Sequence, residues 1–137
     1  MLHGFPDTAA SWDGIATAIG EGHRGVVPHL RGYHADSIDS SRGYSPLELA
    51  EDIPVLLDAL EIDSAVLVGH DWGAAIAYGA ASLAPDRVRG VVGIAIPHPR
   101  TIRPTPALAL RHRARGTPRR PSRPPMGATV VRSGRHR

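Results

Sequence analysis

Five consecutive residues, Gly69-His70-Asp71-Trp72-Gly73, place a carboxylate between two glycines. They follow the apolar run Ser64-Ala65-Val66-Leu67-Val68 and precede the small-residue stretch Ala74-Ala75-Ile76-Ala77-Tyr78-Gly79-Ala80-Ala81. A residue on a tight strand-to-helix turn adopts a strained backbone that pushes its side chain clear of the sheet, and only small neighbours two positions either side permit the turn. The helix that follows aims its first N–H groups and the positive end of its dipole at that side chain, which suits a nucleophilic carboxylate or an oxyanion beside it. Asp71 is the candidate nucleophile. The competing reading, an aspartate that only caps a helix, is common, but the glycine spacing after an apolar strand favours the nucleophile position.

The elements that must position this turn alternate in type. Gly25-Val26-Val27-Pro28 is a short β-branched run closed by a proline that cannot donate to a ladder, which predicts a strand ending near Pro28. Ser45-Pro46-Leu47-Glu48 has the form of a capping box with proline at the first helical position, and Ile53, Leu56, Leu57 and Leu60 recur at helical spacing. A helix over about 46 to 60 follows, with a kink or a late start where Pro54 removes a backbone hydrogen bond. Arg89-Gly90-Val91-Val92-Gly93-Ile94-Ala95-Ile96 reads as a further strand covered on both faces. Strands alternating with helices predict an α/β fold with a parallel sheet flanked by helices.

Composition sets outer bounds. The chain's 137 residues, 42% of them hydrophobic, suffice for one small domain, and its lack of cysteine excludes disulfides, thiolate metal sites and a cysteine nucleophile. The net charge of +3 averages two unlike segments: residues 1–100 hold 6 Arg and 13 acids, a net of −7, whereas 101–137 hold 10 Arg and no acid. That second segment, with 6 Pro and little apolar periodicity, predicts an Arg/Pro-rich disordered tail over 106–137. Its charge implies at most non-specific, salt-sensitive polyanion binding, because no aromatic residues interleave it. No apolar run is long enough to span a membrane, and the opening Met1-Leu2-His3-Gly4-Phe5-Pro6 lacks the pattern of a secretory signal, so a cytoplasmic location is expected.

Gly-His-Asp-Trp-Gly after a strand, with His3-Gly4-Phe5-Pro6 upstream, resembles the α/β-hydrolase superfamily, in particular its epoxide hydrolase and haloalkane dehalogenase branch. Leu30-Arg31-Gly32-Tyr33, Ala84-Pro85-Asp86-Arg87-Val88 and Ile96-Pro97-His98-Pro99 fall in matching order, so the resemblance covers about residues 2 to 105. It implies that Asp71 attacks a substrate carbon to form an alkyl-enzyme ester, which a histidine-activated water then hydrolyses. It also implies an oxyanion hole built from the backbone N–H groups of Phe5 and Trp72, and a cis bond before Pro6. Phe5 stands where haloalkane dehalogenases often carry Asn, and Trp72 where fluoroacetate-type enzymes tend to carry Arg, which puts a small hydrophobic epoxide ahead of a halogenated substrate.

Much of that family's apparatus is expected to be missing. Asp86 reads as a solvated turn acid, and His98, His112 and His136 lie without an orienting carboxylate, so neither the triad acid nor its histidine is identified. No cofactor is implied, and His3 and His70 alone make no metal site; His3 reads as a turn-stabilising residue, His70 as at most cleft-lining, and Tyr78 as packing. The expectation is a truncated α/β-hydrolase core over 1–105, incomplete in its sheet and of low or no activity. A purely electrostatic, non-catalytic fragment is the rival reading.

Overall fold

The computed structural model describes residues 1–19, 22–101 and 130–131. Leu2 opens the parallel sheet: it pairs with Gly69, its amide donating to the Val68 carbonyl at 2.7 Å and its carbonyl accepting from the His70 amide at 3.1 Å. β2 (Ala65–His70) then pairs in parallel with β3 (Val88–Ile94), in register from Val66 opposite Gly90 to His70 opposite Ile94. β2 reaches two residues beyond the predicted apolar run, so the strand carries the chain right up to Asp71. β1 (Val27–Pro28) is shorter than its run suggested and pairs antiparallel with β4 (Val130–Val131). The rest of the tail predicted to be disordered lies outside the described residues.

Helix formation follows local chemistry. The Ser45 hydroxyl accepts from the Glu48 amide while the Glu48 carboxylate accepts from the Ser45 amide, the reciprocal cap that starts α2 (Pro46–Ala50). The single helix expected over 46 to 60 is in fact two, with α3 (Asp52–Ala59) beginning after Glu51. This break puts Pro54 in the first turn of α3, where an amide would have no helical partner, and so removes its conflict with the carbonyl of residue 50. α1 (Asp13–Ala18) is short and wholly outside the core.

α4 (Trp72–Leu83) runs back along β2 and β3, with Ile76, Ala77 and Ala80 fully buried. Small residues let it meet α2 closely: a Cβ added at Gly79 would lie 2.8 Å from the Ala50 Cβ. This side of the sheet carries the main core, with Leu2, Leu30, Leu49, Ile53 and Leu67. On the opposite side a smaller cluster of Ala9, Trp12 and Val27 packs against Val68. Val66, Val92 and Ile94 on that face remain exposed, unlike the two-sided burial predicted for β3. Among the described residues the outer edge of β3 has no partner strand. No helix among them is long and apolar enough to cross a membrane.

Candidate active site

The turn at the C-terminal end of β2 is built by exclusion. A Cβ at Gly69 would overlap the Gly73 backbone, and one at Gly73 would overlap the Leu2 carbonyl, so both positions must be glycine for α4 to start this close to the sheet. Asp71 takes φ 52 and ψ −122, a sparsely populated backbone conformation for a residue with a Cβ. Its amide donates to the Ile94 carbonyl at 3.0 Å, tying the turn to the end of β3, and its own carbonyl accepts the Ala74 amide at 2.9 Å. The Asp71 side chain makes no capping bond to α4, so the helix-cap reading does not describe it.

The carboxylate instead receives the Phe5 amide, 3.1 Å from Oδ1, and the neighbouring Trp72 amide favours its charge. These two N–H groups hold the Asp71 carboxyl below its ordinary value of 3.8; burial opposes them weakly and the nearby His70 assists. The acid is therefore ionised at neutral pH, partly exposed, and held by the Phe5 amide. Phe5 is exposed, and Trp72 is 39% exposed. The Phe5-Pro6 peptide is cis. Gly4 lies hard against the site: a Cβ there would stand 2.6 Å from the Asp71 Cβ.

His3 is enclosed, with Nδ1 3.0 Å from the Gly4 carbonyl and Nε2 accepting the Leu30 amide at 3.2 Å. Its contacts join the turn at Gly4 to the end of β1. His70 is half-buried, and strand alternation puts its side chain on the sheet face away from α4. Asp86 is exposed in the turn Pro85–Arg87. His98 Nδ1 accepts the Arg100 amide at 3.1 Å, and its ring packs edge-on against Tyr78.

Two further groups escape sequence reasoning. Tyr33 packs edge-on against His3 at 4.6 Å, and burial, then the negative charge of Asp71, pushes its phenol pKa upward. Asp52 is buried and takes Arg31 at 2.8 Å and Arg42 at 3.1 Å, fastening the loop after β1 to α3. A charged residue at a core-facing helical position was the one available signal for it. His34 and Asp36 approach to 3.5 Å, but His34 Nδ1 accepts the Asp36 amide, which is not the orientation of a triad histidine. Among the described residues no group of three His, Asp or Glu is placed to hold a metal.

A parallel sheet with a strained acidic turn feeding a helix, its carboxylate met by the amide of a distant loop, defines a class. The chain belongs to the α/β hydrolase fold family, whose pattern it matches over residues 1–131. Within that class it is 47% identical over 99 residues to an epoxide hydrolase of Caballeronia sordidicola, covering 71% of this chain and 30% of that protein. It is 42% identical over 99 residues to epoxide hydrolase B of Mycobacterium tuberculosis, covering 71% and 28%. Among solved structures, the Bacillus megaterium epoxide hydrolase in complex with an inhibitor matches with a TM-score of 0.65 and 33% identity, over 72% of this chain and 35% of that one. The chain thus spans about a third of the length of these relatives.

Proposed function

We propose that this chain carries the nucleophilic half of an epoxide hydrolase site, with Asp71 as the attacking carboxylate. The observation that carries the reading is the Phe5 amide donating to Asp71 at 3.1 Å on a turn where Asp71 takes φ 52. One carboxylate oxygen attacks an epoxide carbon, a C–O bond of the ring breaks, and the freed ring oxygen takes a proton from water. The product is an ester between Asp71 and a hydroxyalkyl group. In its hydrolysis water attacks the ester carbonyl carbon, the two amides receive the oxyanion, and a diol leaves as the carboxylate re-forms.

The second half needs a base to activate that water, and no described histidine pairs with a carboxylate in the orientation the task requires. Alkylation of Asp71 is therefore the step that tests the reading. Incubation with an aryl epoxide such as styrene oxide should raise the intact mass by one epoxide, with the adduct mapping to Asp71 and absent from Asp71→Ala. Neither adduct nor diol from the wild-type chain would reject the reading.

A further inference from the structure

His3 donates to the peptide unit whose other side faces Asp71. The Gly4 carbonyl and the Phe5 amide belong to one planar peptide bond, so a donor on that oxygen fixes the direction of that N–H. The Gly4 oxygen is held twice, by His3 Nδ1 at 3.0 Å and by the Asp7 amide at 3.1 Å. The other ring nitrogen of His3 accepts the Leu30 amide at 3.2 Å, anchoring the ring to the core. Together these contacts admit one protonation state: Nδ1 bears the hydrogen and Nε2 is a bare acceptor. A proton on Nε2 would face the Leu30 N–H, donor against donor, at a side chain 0% exposed.

We propose that neutral His3 is a positioning residue for the Phe5 amide, and that its protonation uncouples the Gly4–Phe5 peptide from Leu30 and weakens the amide's grip on Asp71. The groups facing His3 among the described residues are the Tyr33 ring edge, His29 beyond β1, and Asp7 in the following turn. Burial keeps His3 below its ordinary 6.5; the Gly4 bond opposes this, His29 adds to it, and Asp7 opposes it. The folded pKa is thus the lower one. The arrangement is intact above 6.5 and is lost as pH falls toward the folded pKa. The consequence for alkylation rests on Asp71 being the nucleophile; the coupling of His3 to Phe5 does not.

The test is an NMR titration of the uniformly 15N-labelled chain. Imidazole correlations should show His3 as the Nδ1–H tautomer at pH 7.5, and on acidification the His3 ring and the Phe5 amide should shift with a shared midpoint below 6.5. An Nε2–H tautomer, or a Phe5 amide that ignores the His3 transition, overturns the proposal. A second arm follows alkylation by styrene oxide: the wild-type rate should fall below the His3 midpoint, by up to about 100-fold as the nucleophile loses its positioning. His3→Gln should be slower at pH 7.5 and lack that limb; a His3→Gln profile with the wild-type limb also overturns the proposal. If that variant does not fold, the wild-type titration decides. Coupled His3 and Phe5 shifts without any alkylation would support the positioning role and sink only the reaction.

Discussion

Phe5 and Asp71 stand 66 positions apart in the chain, yet the Phe5 amide lies 3.1 Å from Asp71 Oδ1. Gly4 makes this approach possible, since an added Cβ would stand 2.6 Å from the Asp71 Cβ and 3.0 Å from Oδ1. Gly4→Ala should therefore push the turn and the acid apart. Misplacing a nucleophile by about 1 Å costs on the order of 100-fold in rate, so formation of the Asp71 adduct, followed by intact mass, should slow by that order. An unchanged rate would mean that the Phe5 amide contributes nothing to the step.

Asp71 itself should set no acid limb near neutrality. Its two amide partners lower its pKa below 3.8, so the carboxylate and its hydrogen bonds are present above that value and are lost as pH falls through the folded pKa. In a His3→Gln background the alkylation rate should stay flat from pH 7 down to about 4. A midpoint well above 3.8 in that background would contradict an ionised, amide-held Asp71.

The strand, acidic turn and small-residue helix were legible because their signals are local: an apolar run, two glycines at fixed spacing and a capping box each act within a few residues. The break at Glu51 was half legible, since Pro54 announced a conflict but not where the helix would restart. Contacts made across the chain left no such trace. The Asp71 amide reaches Ile94, Tyr33 lies against His3, and Asp52 collects Arg31 from 21 positions away. Pairings of this kind depend on sheet register and loop closure, which residue types alone do not specify.

Asp52 gives a stability prediction. Its carboxylate is enclosed with Arg31 Nε at 2.8 Å and Arg42 at 3.1 Å, and Arg31 also donates to the Gly43 and Glu48 carbonyls. Removing one member of a buried pair leaves the other's charge uncompensated, so Asp52→Ala should destabilise the fold by about 3 to 5 kcal/mol. Arg42 is the more exposed of the two cations, and Arg42→Ala should cost less. Urea denaturation would show both; equal losses would place the weight of the network elsewhere.

Gly93 and Tyr78 should be energetically coupled. Gly93 lies in β3, and a Cβ added to it would run into the Tyr78 hydroxyl and ring. The ring cannot simply swing aside, because its hydroxyl donates to the Ile96 carbonyl at 3.2 Å and its face meets His98 with centroids 4.9 Å apart. Gly93→Ala should therefore cost about 1 to 3 kcal/mol through overpacking. Tyr78→Ala removes both the obstacle and the ring's own packing, so in the double variant the new methyl no longer meets the ring. The double variant should be more stable than the two single losses added together, by about 0.5 to 3 kcal/mol in a urea double-mutant cycle. Additive losses would mean that Tyr78 yields freely, and that Gly93 is glycine for some reason other than this ring.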